Sequence, residues 1–347
     1  KAYLSDILDY SNKARGFSVF GLQAALGRLL GPSLGGLLSQ PVGKIPILSQ
    51  AVPTLKTYPY LLPCLVAAAL GLFGLVCTYS FLPETDFRKK RKNVPELIDG
   101  VANEETELFR VRRPSRPGRP SSGHLGTLLL NKGVIGASMT FSLLGLAHIG
   151  FEELFPLWML TDPANGGFAF DETMIGAVIA ATGPVQLLTQ WLVVPWVVTK
   201  VSYRTGFQLA MLFFAVAVSL APLASLVNQS PNTKHQVAAA IAVYMAVNVA
   251  AEAAYTYVFV LVNDSVDPQL LGRVNGISQT LVATMRMIGP PMWGSLFAIS
   301  CGGSTQAVPL GVGFGLPFQL IGGTCLLAVL LTAALPKYIG TDDLIAG

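Results

Sequence analysis

Eight stretches of mainly apolar residues, near 16 to 38, 59 to 82, 134 to 158, 174 to 198, 206 to 227, 236 to 261, 270 to 299 and 314 to 335, recur along this chain of 347 residues. A helix that crosses the hydrocarbon core of a bilayer needs about 20 such residues. In lipid every backbone polar group must be bonded within its own segment, which leaves helices as the reading for runs of this length. Only 12% of the residues are charged, where a soluble domain carries about 25%. The expected fold class is therefore all-α integral membrane.

The first stretch carries an unusual insert. Gly27, Gly31 and Gly35 recur at every fourth position with Gly36 beside them, forming a smooth face that lets a neighbouring backbone approach closely. Pro32 removes one helix hydrogen bond and predicts a kink. Arg28 stands among them, and a cation at mid-bilayer costs about 2.5 to 3.5 kcal/mol on insertion scales, so it calls for a role. The four cysteines, Cys64, Cys77, Cys301 and Cys325, have no CxxC spacing and read as small packing residues. Because the chain opens on Lys1 rather than Met, it reads as part of a longer protein.

The basic residues set an orientation. Arg88, Lys89, Lys90, Arg91 and Lys92, then Arg110, Arg112, Arg113, Arg116 and Arg119, all lie between the second and third stretches, which the positive-inside rule places in the cytosol. Lys13, Arg15, Lys200, Arg204, Arg273 and Lys337 fall on that same side, and Lys44, Lys56 and Lys234 on the other. The central loop and the C-terminus are thus expected in the cytosol, in the plasma membrane or a vacuole-type organelle. The loop over 84–126 is too polar and proline-rich to pack a core and reads as a disordered linker. Its basic run beside a membrane sets topology or touches anionic lipid rather than nucleic acid.

From these residues the chain resembles the major facilitator superfamily. The stretch Gly27, Gly31, Pro32, Gly35 and Gly36 is similar to the fifth-helix signature of its proton-coupled antiporters, G-x8-G-x3-G-P-x2-G-G, departing at the first glycine, where Ser18 stands. Ala2 to Asp6 with Arg15-Gly16 looks like the family's connection from helix 4 to helix 5, and Phe81-Leu82-Pro83-Glu84-Thr85 like the end of helix 6. Phe151-Glu152-Glu153-Leu154-Phe155-Pro156 resembles helix 7 of the zinc-induced facilitator-like branch. Gly272-Arg273-Val274-Asn275-Gly276, continuing to Arg286-Met287-Ile288-Gly289-Pro290, resembles its helix 11. The resemblance implies a major facilitator fold with eight of twelve transmembrane helices present. Residues 1–83 would be the end of an N-terminal bundle, 84–126 the linker and 127–347 a six-helix bundle. It further implies a monomeric secondary active transporter that exchanges a small solute or ion for protons, with efflux linked to metal, organic-anion or drug tolerance. A truncated, non-transporting membrane protein that binds a full-length partner is the alternative.

The family's helices 7 and 10 line its central path, which directs attention to polar stripes. His148 and Glu152 are four apart on one helix face; Tyr244, Asn248, Glu252 and Tyr255 form a second stripe; Asn275, Gln279 and Arg286 form a third. At 1.5 Å per residue, His148 lies about 21 Å, Arg286 about 24 Å and Glu152 about 27 Å from the cytosolic face, with Arg28 at about 18 Å and Glu252 apart, nearer the cytosol. Similar depth makes a charge pair of Glu152 with Arg286 an expectation. Glu252 and Glu152 are the proton-coupling candidates, because a carboxylate in a low-dielectric cavity can load and release a proton during alternating access. Candidates for the substrate path are His148, Arg28, Arg286, Asn248, Tyr244, Tyr255, Gln186, Gln190, Asn275 and Gln279. Arg28 and Arg286 would meet an anionic part of a substrate or tie helices together. Gly289 and Pro290 mirror the first stretch, so Gly27, Gly31, Pro32, Gly35, Gly36, Gly289 and Pro290 read as hinge or packing elements.

His148 and Glu152 also have the spacing of two metal ligands on a helix. With three histidines in all and no second ligand pair, no metal site is expected, and a metal would be cargo. No Walker motif or dinucleotide fingerprint is present, so neither nucleotide nor another cofactor is implied. Neither a Gly-x-Gly-Asp aspartate nor a His-Glu-x-x-His pair occurs, which argues against an intramembrane enzyme.

Overall fold

A computed structural model describes residues 54–58, 60–82, 125–198, 200–229, 233–267, 270–302 and 313–340, with Gln23, Leu26, Gly27, Leu30, Gly31, Leu34 and Leu38 from the first stretch. Those seven are helical and at least partly exposed. Arg28, Pro32, Gly35 and Gly36 lie outside the described residues, as does the basic linker up to residue 124. Two compact units divide the chain, one taking in Gly27–Pro114 and the other carrying the residues from Ser115 to Gly347.

The first unit contains α1, Leu61–Phe81, which buries none of its residues within the protein. Leu65, Leu70, Phe73, Tyr79 and Phe81 are exposed around its circumference. A helix apolar on all sides belongs in lipid or against other apolar helices.

The second unit packs six long helices: α2 (Lys132–Leu160), α3 (Glu172–Leu188), α4 (Tyr203–Leu220), α5 (Thr233–Asp264), α6 (Leu271–Gly302) and α7 (Leu316–Ala333). Seven expected stretches are thus long helices among the described residues. Their starts follow side-chain chemistry: Asn131 accepts from the amides of Gly133 and Val134, Asp171 from Met174, and Ser202 from Thr205, each satisfying donors that a helix start leaves free. A π-turn over Thr189–Val193 continues α3 into Val194–Val198.

Six of the described helices are long and apolar enough to cross a membrane, and the chain is a multi-pass integral membrane protein. The exception is α6, with 32 residues. It buries Leu271, Val274, Ser278, Val282, Gly289, Trp293 and Phe297 at helical spacing and exposes Arg273, Gln279, Thr280, Thr284 and Arg286. Those polar residues stand among exposed Met287, Ile288 and Ile299 and lower the mean hydropathy of the helix without shortening it.

The interface of α2 with α6 is close. A Cβ on Gly289 would stand 2.6 Å from Ile149 Cγ2, and one on Gly145 3.0 Å from Val282 Cγ1. Across it Ser138 and Ser278, both fully buried, share a 2.7 Å hydrogen bond, and Trp293 donates to the carbonyl of Leu146. On another side of α2, Trp158 packs edge to face on Phe318 of α7 and on Phe168. Its indole donates to the carbonyl of Gly166, a glycine held at φ 85°, so the segment after α2 folds back over the helix end.

Candidate functional site

α2 and α5 cross with their polar stripes facing each other, and the stripes assemble into one chain of polar contacts. Arg286 on α6 donates through Nη2 to the hydroxyl of Tyr255 at 3.0 Å, with its guanidinium 5.8 Å from the centre of that ring. The Tyr255 hydroxyl lies 3.3 Å from His148 Nδ1. On the other edge of the imidazole, Nε2 is 3.1 Å from Asn248 Oδ1 and 3.6 Å from Glu152 Oε1. Tyr244 closes the chain by donating to Glu152 Oε2 at 3.1 Å.

Asn248 gives its Nδ2 hydrogen to the carbonyl of Tyr244, so its Oδ1 faces His148 and takes a donor from Nε2. In the neutral imidazole that leaves Nδ1 to accept from the Tyr255 hydroxyl, whose oxygen in turn accepts from Arg286. His148 is 8% exposed, whereas Glu152 is partly exposed and Arg286 exposed. A buried imidazole thus bridges a cation and a carboxylate that both reach the surface of the unit. Glu153, next to Glu152, points outward.

The expected direct pairing of Glu152 with Arg286 is corrected: among the described residues no ion pair joins them, and Tyr255 and His148 stand between. Equal depth says nothing about direction around the helix axes. The α5 stripe also divides. At about 100° per residue, Asn248 is about 40° and Tyr255 about 20° from Tyr244, while Glu252 is about 80° round. Glu252 accordingly faces α3 rather than α2. There Gln190 Nε2 approaches Glu252 Oε2 at 3.5 Å, and Gln186 Nε2 donates to Thr182 at 3.2 Å. Thr182, Gln186, Gln190 and Glu252 are all buried.

Asn275 does not join the chain around His148. It donates to Asn263 Oδ1 at 2.8 Å and to the carbonyl of Leu271, bridging the ends of α5 and α6. Gln279 is exposed, Gly289 is buried against Ile149, and Pro290 lies half-buried within α6. Gly27 and Gly31 are exposed. Among the described residues no three His, Cys, Asp or Glu side chains are grouped so as to hold a metal ion.

Some polar groups were not singled out in the sequence. Ser138 and Ser278 bond across the core, and Asn263, Asp264 and Ser265 are buried at the end of α5. Ser138 has Ser142 one turn on, but Ser278 has Val274, Asn275, Leu281 and Val282 at those positions, so no small-residue pattern marked the pair. The Asn-Asp-Ser trio has the composition of an ordinary helix end, which hides its burial.

Long apolar helices around a buried polar chain define an integral membrane protein. The chain belongs to the Major Facilitator Superfamily, whose family model matches residues 1–290. It is 27% identical, over 86% of its length and 60% of the relative's, to a probable peptide/nitrate transporter of Arabidopsis thaliana. It is 26% identical to Protein ZINC INDUCED FACILITATOR 1 of the same plant, over 86% of this chain and 61% of that one. The efflux pump azaK of Aspergillus niger is 26% identical over 94% of this chain and 62% of the pump. The chain spans about 60% of the length of the curated relatives it matches.

Proposed function

We propose that this chain belongs to a secondary active transporter that moves a small solute by alternating access, in exchange for protons. The observation that carries this reading is the Arg286–Tyr255–His148–Glu152–Tyr244 chain. It places an imidazole and a carboxylate in contact inside a helical bundle, where ionisable groups are costly and mark ion or substrate paths. Relatives named as a peptide/nitrate transporter and an efflux pump support small-molecule transport and export, without enzymatic turnover. The relative named for zinc induction supports a link to metal tolerance, with the metal or an organic anion or drug as cargo.

Glu152 and Glu252 load the protons. Arg286, His148, Tyr244, Tyr255 and Asn248 meet the solute or orient the groups that do, and Gln186, Asn275 and Gln279 flank the path. Residues 1–83 end one helical bundle, 84–126 form a cytosolic linker and 127–347 form the second bundle. The C-terminus lies in the cytosol with the linker, in the plasma membrane or a vacuole-type membrane, and the transporter works as a monomer.

The test is solute-driven proton movement in proteoliposomes containing the full-length protein, challenged with metal ions, potassium, organic anions and cationic drugs. Proton flux triggered by one class supports antiport and names the cargo. Silence across the panel from a folded, correctly oriented preparation overturns it.

A further inference from the structure

Arg286 is at the middle of α6. At 1.5 Å per residue it stands about 23 Å from Leu271 and about 24 Å from Gly302, so it lies far from both ends of the helix and deep within the bilayer. Its side chain is exposed on the surface of the second unit. Lipid is no environment for a guanidinium. Ionisable side chains at this depth face a bundle interior or a water-filled cavity and mark ion or substrate paths, so the exposed face of α6 that carries Arg286 borders such a path.

Among the described residues this cation has no anionic partner. One N–H of its fork goes to the Tyr255 hydroxyl at 3.0 Å, and the ring of that tyrosine is centred 5.8 Å from the guanidinium. The other N–H groups meet no acceptor among the described residues, and no carboxylate there pairs with them. Glu152, at the far end of the polar chain, accepts from Tyr244 and lies against His148, and Glu252 faces Gln190 of α3. The apolar stretches near 16 to 38 and 59 to 82 contain no aspartate or glutamate, so they bring no carboxylate into the membrane either.

A planar fork with N–H groups to spare matches an oxyanion, because carboxylate and phosphate groups take parallel N–H···O bonds from it. A metal ion, potassium or a cationic drug would meet repulsion at the same place. The same face of α6 also bears on the rest of the ligand. Gln279 is about 20° round the axis from Arg286 and about 10 Å along it, with Ala283 between the two levels, and both residues are exposed. A methyl-sized floor between a cation and an amide leaves room for a short carbon skeleton with a second polar group, which a bare inorganic anion lacks.

We propose that Arg286 receives the anionic group of the cargo, and that the cargo is a small organic oxyanion, a carboxylate or a phosphate monoester, rather than a metal ion, potassium or a cationic drug. Tyr255 is the positioning residue, holding one N–H of the guanidinium while the others remain for the ligand. This rests on the transporter reading above and narrows it to one class of solute.

The test is proton movement in proteoliposomes containing the full-length protein, counted above that of protein-free vesicles. The vesicles are challenged with matched pairs, succinate against succinamide, glutarate against glutaramide and glycerol phosphate against glycerol, beside inorganic phosphate, zinc, potassium and tetraethylammonium. At least one acid should drive flux, and its neutral counterpart should have a KM higher by about tenfold to a hundredfold, the worth of a hydrogen bond to a charged group. That comparison uses wild-type protein and needs no variant to fold. In Arg286→Gln the preference for the acid should disappear, whereas Arg286→Lys, which keeps a charge without the fork, should keep the preference with a raised KM. Flux driven by zinc, potassium or tetraethylammonium and by none of the acids leaves antiport standing and overturns the anion assignment, as does flux driven by inorganic phosphate alone. An acid preference that survives in a folded Arg286→Gln protein also overturns it. Silence to every class is the failure of the transporter reading itself, and this proposal falls with it.

Discussion

Oδ1 of Asn248 stands 3.1 Å from Nε2 of His148, and the same amide gives its Nδ2 hydrogen to the carbonyl of Tyr244. One asparagine therefore selects the Nε2–H tautomer of a neutral imidazole on another helix, and in that form Nδ1 takes the hydrogen of the Tyr255 hydroxyl.

Asn248→Leu removes that acceptor while keeping the volume. His148 Nε2–H is left with Glu152 alone, and a buried donor without a good partner costs about 1 to 3 kcal/mol. A lower Tm with solute flux reduced at least about tenfold is expected. Asn248→Asp, which keeps an oxygen toward His148, should retain more stability than Asn248→Leu. Equal Tm values for the two variants would show that the acceptor is not what matters.

Tyr255→Phe separates two roles of one side chain. The ring keeps its contacts with Phe141 and Phe259, so packing survives. The hydroxyl that links Arg286 to His148 is lost. Flux should fall in Tyr255→Phe and in Arg286→Gln, and the double variant should be no worse than the poorer single one, because groups joined by one hydrogen bond do not add. Additive losses in a double-mutant cycle of transport rates would argue that Arg286 acts without Tyr255.

Glu252→Gln keeps the shape of the side chain and removes the proton-binding group. Proton-coupled flux should disappear in proteoliposomes while solute exchange without a proton gradient continues. Unchanged flux with an unchanged pH profile would remove Glu252 from coupling.

Hydropathy revealed the helices because a bilayer demands length and apolarity, and α1 to α5 and α7 satisfy both. Spacing brought His148, Glu152, Tyr244, Asn248 and Tyr255 to one place, since residues four apart share a face. What spacing lacked was azimuth between helices. Arg286 and Glu152 match in depth, yet Tyr255 and His148 fill the gap between them. Glu252 shares a stripe with Tyr255, but its offset of about 80° from Tyr244 turns it toward α3. The π-turn over Thr189–Val193 lay outside what periodicity alone anticipates, since a regular helix is the default continuation of an apolar run. Ser138 and Ser278 read as small residues, and only their 140-residue separation closing to 2.7 Å makes them partners.

The close contact of α2 with α6 gives the most direct stability test. A methyl at position 289 would stand 2.6 Å from Ile149 Cγ2, inside van der Waals contact, and Ile149 is partly buried with limited room to yield. Gly289→Val should cost about 1 to 3 kcal/mol through overpacking, read as a fall in Tm of the detergent-solubilised protein. Ile149→Ala alone should cost less, because this side chain is not fully buried. Together the two substitutions should recover a good part of the loss, since the alanine vacates the space the valine needs and contacting sites couple. Failure of Ile149→Ala to rescue Gly289→Val would mean that the glycine serves backbone bending beside Pro290 and Pro291 rather than close approach of the helices. The two roles differ in consequence: close approach holds α2 and α6 as one rigid pair, keeping Arg286 in reach of Tyr255, while bending would let the C-terminal part of α6 swing with no change at His148.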